Sequence, residues 1–240
     1  KRIVIDAPLV RGSFSVRGAR LDDVILTSYN ETLDENSENI HFLKKTSSDT
    51  PFFAEFGWSS SDSGQTMPSA DSLWSADRDV LSPATPVTLT WDNGQGLQFT
   101  RRISINDDYL FVFEDSVTSS LPGDITLYPY GLVRRHGTPA TTGMYILHEG
   151  PLGVFDETLS EEDYDDLRDA GAAGIKMTPE TAGGWVGITD KYWLAALLPT
   201  QAKNYNFGFQ SLAGNTDRYQ VDFIDPNGLL LAAGGAIASE

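Results

Sequence analysis

Short runs of alternating apolar and polar residues, rich in β-branched and aromatic side chains, recur along the chain between clusters of Gly, Pro, Asn, Asp and Ser. A period of two places alternate side chains on one face of a strand, and turn signals every roughly 8–12 residues favour a sandwich or barrel. The clearest hairpin spans residues 87–105. Residues 87–91 make the first strand, Asp92-Asn93-Gly94 the turn, and 97–105 the return, with Leu97, Phe99, Ile103 and Ile105 on one face. Arg101 breaks that apolar face. Asn106-Asp107-Asp108 then turns into a strand at 109–117, and Leu121-Pro122-Gly123-Asp124 into another at 125–133, which makes a meander. Residues 110–113 are apolar on both faces, which predicts a strand covered on two sides.

Further strands are predicted at 3–9, 12–16, 21–28, 52–56, 144–148, 184–189, 193–198, 205–209, 218–223 and 229–232. Residues 59–72, without periodicity and rich in Ser, Gly, Asp and Pro, read as a long exposed loop. One segment has helical signals. Ser160 is placed to cap a turn beginning at Glu161, Asp163 holds the capping-box position, Leu159 can staple against Tyr164, and Gly171 supplies the stop. Its apolar positions Tyr164 and Leu167 lie three apart, so the helix should rest on the sandwich surface. The pattern gives an all-β fold with one short surface helix, and length is compatible with a single domain over 1–240.

Composition narrows the function. Thirty-four acids against seventeen bases give a net charge of −17, which repels nucleic acid and anionic lipid. The absence of cysteine removes disulfides and thiolate metal sites and leaves the compartment open. The longest apolar run, 229–238, is ten residues with Gly234 and Gly235 inside it, against the about 20 a spanning helix needs. The chain starts without Met and is expected to be a piece of a longer protein.

Candidate chemistry is thin. His41, His136 and His148 lack metal-pair spacing, and His148 and Glu149, adjacent on a predicted strand, would face opposite ways. Glu157, Glu161, Glu162, Asp163, Asp165, Asp166 and Asp169 form the densest acidic cluster without the loop pattern of a calcium site. A solvated helix face explains them, and contact with a basic partner is the functional alternative for Asp163, Asp165, Asp166 and Asp169. Trp91 and Trp185 are expected as buried anchors. No nucleophile elbow, phosphate loop or dinucleotide fingerprint is present, so neither an enzyme nor a cofactor is expected.

The run Gly183-Gly184-Trp185-Val186-Gly187-Ile188-Thr189-Asp190-Lys191-Tyr192-Trp193-Leu194-Ala195-Ala196-Leu197-Leu198-Pro199 resembles the signature late in the large periplasmic domain of the YidC family of bacterial membrane protein insertases. Four more segments agree in order: 14–21, Tyr29 with Glu31-Thr32-Leu33, Trp91 to Leu97, and Tyr130-Gly131-Leu132 leading to 148–154. Their wording is similar to the alphaproteobacterial branch. The resemblance implies a β-supersandwich of galactose mutarotase-like type, with Gly184, Trp185, Asp190, Tyr192 and Trp193 as structural signature residues. It implies a non-catalytic domain on the periplasmic face of the inner membrane, joined to the membrane only through helices outside this chain. The domain would support insertion and folding of inner-membrane proteins, contacting Sec translocon accessory subunits through the region from Leu132 to Leu167, and emerging membrane proteins besides. Family domains end in a helix leading back to the membrane, and this chain is expected to be trimmed before it. The alternative is a carbohydrate-binding or mutarotase-like sugar-active sandwich, which requires a histidine converging with a carboxylate at a cleft.

Overall fold

The computed structural model describes residues 1–140, 147–212, 214 and 216–239, and of Ala172 only the backbone. In chain order the first ten strands are β1 (Arg2–Asp6), β2 (Val10–Ser15), β3 (Leu21–Asn30), β4 (Asn39–Leu43), β5 (Phe52–Ser60), β6 (Ser75–Ala76), β7 (Val80–Leu81), β8 (Val87–Asp92), β9 (Leu97–Ile105) and β10 (Phe111–Ser119). They are followed by β11 (Ile125–His136), β12 (Gly150–Phe155), β13 (Thr158–Glu161), the helix α1 (Tyr164–Ala170), β14 (Ile175–Met177) and β15 (Trp185–Thr189). The last five are β16 (Leu194–Leu197), β17 (Asn206–Leu212), β18 (Arg218–Ile224), β19 (Leu229–Leu231) and β20 (Ala236–Ser239). A large sheet runs β14-β17-β18-β11-β5-β3-β2-β1-β7, with β19 joined to β11 and β4 to β3. A second runs β20-β10-β9-β8-β6 and a third β13-β12-β15-β16.

The predicted hairpin forms β8 and β9, because Asp92 and Asn93 fold their side chains onto the turn backbone. Asp92 Oδ1 accepts the Gly94 amide at 2.7 Å, and Asn93 Oδ1 accepts those of Gln95 and Leu97. Gly94 takes φ 69°, which favours glycine. Leu97, Phe99, Ile103 and Ile105 are buried as their spacing requires, in an apolar cluster to which all three sheets contribute.

Arg101 sits on this buried face and is 1% exposed. Its partner comes from the register, which sets Asp115 of β10 directly opposite. The guanidinium engages the carboxylate bidentately, Nε at 2.8 Å and Nη2 at 2.6 Å, and Nη1 reaches the Ala19 carbonyl. Trp74, Phe56 and Phe113 surround the cation within 6.0 Å of its central carbon. Asp115 holds the Arg101 cation charged against the pull of burial, and its affinity for the proton is raised.

A second polar network laces β2, β3 and β4 where bulges interrupt their ladders. Asp23 accepts from Ser13 Oγ at 2.6 Å, lies 2.9 Å from His41 Nε2 and pairs with Lys45. Side chains there replace backbone bonds that the bulges forgo.

Three expectations change. Residues 110–113 are covered on one side only: Phe111 and Phe113 turn inward, while Leu110 and Val112 stay 54% and 42% exposed. The helix starts later than its signals suggest, because Thr158–Glu161 pairs as β13 with Leu152–Phe155 and takes Ser160 into the ladder. Asp163 becomes the N-cap without a side-chain cap bond, and Leu159 is exposed rather than stapled. Gly171 still ends the helix at φ 59°, and Tyr164 and Leu167 are its buried residues. Trp91 and Trp185 are half-buried; the deeply buried tryptophans are Trp58 and Trp74. The strand predicted at 144–148 falls on 144–146, outside the described residues, and His148 lies in irregular backbone before β12.

Removing one partner of a buried ion pair leaves a stranded charge at a cost of about 3–5 kcal/mol. Arg101→Met should lower stability to urea by that order, and Arg101→Met combined with Asp115→Leu should recover more than half of the loss; equal losses in both variants would contradict the stranded-charge explanation.

Candidate functional site

Leu110 and Val112 mark the rim of an apolar groove. Beneath them, two adjoining cavities of about 320 and 300 Å³ share walls made by Phe56, Leu110, Phe111, Phe113, Ala196 and Leu197. The floor is the large sheet, through Val24, Ala54 and Val133, and the sides are the end of the β9–β10 hairpin and the strand β16. The edges of the groove are exposed and apolar or aromatic: Tyr29, Tyr109, Tyr192, Leu194 and Leu198 join Leu110 and Val112, with Tyr192 reaching 72% exposure. Contiguous exposed apolar patches of this kind are characteristic of interaction surfaces and ligand grooves.

Two strand edges border the groove. The strand β20 pairs with β10 only from Asp115 to Thr118, so the start of β10 at Phe111–Glu114 keeps one unpaired edge among the described residues. In the third sheet β16 is the outermost strand, with no strand paired on its outer side among the described residues. Open edges offer backbone donors and acceptors to an extended chain.

The signature residues meet at this groove in part. Gly184 takes φ 103°, and a Cβ there would stand 2.7 Å from the Val154 carbonyl oxygen, which explains glycine at the entry to β15. The turn between β15 and β16 is closed by the Asp190 amide bonding the Trp193 carbonyl, and Asp190 is held by Arg135 at 2.5 Å. Trp193 meets Tyr29 edge-on at 4.7 Å. Asp190, Tyr192 and Trp193 thus shape the groove end, while Trp185 stands half-buried on β15.

The acidic residues form a separate surface. Asp163, Asp165, Asp166 and Asp169 are all exposed on α1 or at its cap. The helix is pinned from below, where the Tyr164 ring packs 4.5 Å from Tyr219 and Arg168 donates to the Tyr219 hydroxyl at 2.6 Å while pairing with Asp165. Crowding acts on Glu162, whose carboxyl is pushed up by partial burial and then by the charges of Asp166 and Asp163.

The histidines divide. His148 places Nε2 3.0 Å from the Pro151 carbonyl and Nδ1 3.9 Å from Asp163, and lines none of the cavities described above. His136 meets Phe53 at a tilt, ring centroids 6.1 Å apart, and is held below its ordinary value by burial, then by the Arg218, Arg134 and Arg20 cations. His41 converges with Asp23 beside a small polar cavity of about 160 Å³, yet Asp23 is already engaged by Ser13 and Lys45. No cluster of three metal-binding side chains occurs among the described residues. No described helix is long and apolar enough to cross a membrane.

Sequence pattern missed the groove, although apolar residues on both faces of 110–113 and again of 194–198 were its signal. An apolar doublet on an unpaired edge looks, in sequence, like a strand buried on both faces.

Comparison with known proteins adds a family and a fold. Residues 2–240 match the family model described as YidC periplasmic domain. A membrane protein insertase YidC of Granulibacter bethesdensis is 42% identical over 99% of this chain and 42% of its own length. That of Methylorubrum extorquens is 45% identical over 92% of the chain and 37% of its own length. The chain therefore spans about two fifths of the length of these relatives. Among solved structures, a galactose mutarotase related enzyme from Lactobacillus acidophilus aligns with TM-score 0.63 at 11% identity, over 100% of this chain and 95% of the other. A galactose mutarotase-like protein from Lactobacillus casei aligns at 0.62 and 12% identity, over 100% and 98%. At that identity the likeness is one of fold.

Because the folded-state value of His136 lies below the unfolded one of about 6.5, its stabilising contribution is present above that pH and is lost as pH falls through the folded value. His136→Gln should flatten the decline in melting temperature on acidification below about pH 6.5; a decline as steep as in the unaltered chain would mean that another group causes it.

Proposed function

The chain belongs to the family of YidC periplasmic domains, and from that premise we propose that it is the non-catalytic periplasmic domain of a membrane protein insertase, supporting insertion and folding of inner-membrane proteins at the periplasmic face of that membrane. The observation that carries this reading is the apolar groove with its exposed rim and open strand edges. An emerging membrane segment is apolar, and before it is helical its backbone groups need partners. A groove that offers apolar walls beside an unpaired edge suits such a segment transiently.

The acidic surface is the second part of the proposal. Asp163, Asp165, Asp166 and Asp169 lie within the region from Leu132 to Leu167 or just past it, which is the part of the chain proposed to contact Sec translocon accessory subunits. Exposed carboxylates on a pinned helix favour a basic partner, through steering and specificity more than raw affinity. The continuous core supports reading 1–240 as one domain, with a connection toward the membrane beyond it. A non-catalytic role accords with histidines tied into structural contacts: His41 and Asp23 join strands, and His148 bonds the backbone. The sugar-active alternative has only the fold likeness and the His41–Asp23 pair behind it.

Photo-crosslinking in the full-length parent protein tests both surfaces. Probes replacing Leu110, Val112 and Tyr192 should capture membrane proteins during insertion, and probes at Asp165 and Asp166 should capture a Sec accessory subunit. Neutralising Asp163, Asp165, Asp166 and Asp169 together should leave the melting temperature within a few degrees while removing the second crosslink, since exposed substitutions usually change stability by about 0.5 kcal/mol or less. Crosslinks to the substrate at helix positions and none at the groove would reverse the assignment.

A further inference from the structure

The outer face of the large sheet carries a feature that neither surface described above uses. Register places side chains of adjacent strands in rows across it. Phe53 of β5 lies opposite Arg134 of β11, and Arg134 opposite Gln220 of β18. One step along, His136 faces Arg218. One step the other way, Glu55 faces Leu132, Leu132 faces Asp222, and through Gly208 the row ends at Lys176 of β14. Arg20 reaches in from the start of β3, pairing with Glu55 and lying 4.8 Å over the Phe53 ring.

Among the described residues, four basic side chains, Arg20, Arg134, Arg218 and Lys176, thus share this face with two carboxylates, Glu55 and Asp222. That local excess stands out in a chain with twice as many acids as bases. Glu55 is committed to Arg20, and Asp222 accepts from Gln220 and Gln210. Arg134 makes no direct hydrogen bond or ion pair with a carboxylate among the described residues, although Glu55 and Asp222 act on it through space: its Nε and Nη2 both donate to the neutral Gln220 amide oxygen, and its Nη1 makes no hydrogen bond among the described residues. Burial holds its proton affinity down; the Glu55 carboxylate works against that, and the Arg20 and Arg218 cations work with it. A half-buried guanidinium hydrogen-bonded only to an amide, with two like charges beside it that Glu55 and Asp222 offset in part, is favoured further by an added anion.

We propose that this arginine face docks an extended acidic segment of a partner polypeptide, with a carboxylate received by the open side of Arg134. The geometry favours a strand-like ligand over a compact anion. Cations placed diagonally on adjacent strands, as Arg134 and Arg218 are, stand about 7–8 Å apart, close to the about 6.8 Å repeat of side chains along one side of an extended chain. A lipid surface fits poorly, because the apolar residues of this face, Phe53 and Leu132, are 2% and 7% exposed and have nothing to insert. The acids elsewhere on the molecule are screened within about 8–10 Å at physiological ionic strength, so the local sign governs contact.

The test is fluorescence anisotropy with a labelled octapeptide alternating Glu and Thr, titrated with the 240-residue chain and compared with the same peptide carrying Lys for Glu. The acidic peptide should bind saturably and more weakly as salt is raised, and Arg134→Gln and Arg218→Gln should each weaken it about tenfold or less, but measurably. Lys176→Gln, at an exposed position, should weaken it as well and carries the test should Arg134→Gln not fold. Binding of the Lys peptide as tight as the Glu peptide, or affinity unchanged in Arg134→Gln and Lys176→Gln, would overturn the proposal. So would sedimentation of the chain with vesicles containing phosphatidylglycerol while the acidic peptide stays free.

Discussion

The buried pair of Arg101 and Asp115 is the constraint on which the second sheet depends. A guanidinium in an apolar interior is tolerable only with a carboxylate in bidentate contact and its remaining donors occupied, and here the Ala19 carbonyl and three aromatic rings complete the shell. A slip of β10 by one residue against β9 would turn Asp115 to solvent and strand the cation. The pair therefore fixes register as well as contact. The same register turns Phe111 and Phe113 inward and leaves Leu110 and Val112 at the rim, so the groove inherits its shape from a charge pair below it.

Much of the framework was legible because its signals are local. Asp92-Asn93-Gly94 closes a turn with its own side chains, and period-two burial in β9 needs nothing from elsewhere. Where two local signals competed, pairing decided: Ser160 suits both a helix cap and a strand, and the ladder with Gly153 took it. The residues 110–113 failed for a different reason, since sequence records that a side chain is apolar and not whether anything lies over it. The signature residues were visible through family resemblance, but their gathering of Asp190, Tyr192 and Trp193 at one groove end requires the turn between β15 and β16. The arginine face was illegible altogether, because Arg20, Arg134, Lys176 and Arg218 are brought together only by strand order.

Three surfaces of different chemistry emerge on one scaffold: an apolar groove, an anionic helix and a cationic sheet face. Each rests on rigid support. The groove stands on the core, the helix on Tyr164 and Arg168 against Tyr219, and the guanidiniums on the Phe53 ring. Opposite charges on the two polar surfaces discourage one partner from occupying both, whereas an apolar groove discriminates little by charge. If each surface takes the occupant proposed for it, all three can be filled without the domain moving.

The second sheet is closed by its last strand, which joins residues 124 positions apart in sequence as Asp115 pairs with Ser239. A chain exported from its N-terminus delivers β10 long before β20. Until β20 arrives, β10 is the edge strand of that sheet, with its outer side bare along its whole length. The second sheet is thus completed by the last part of the sequence to be made, and before that its open edge is exposed to strand-to-strand association.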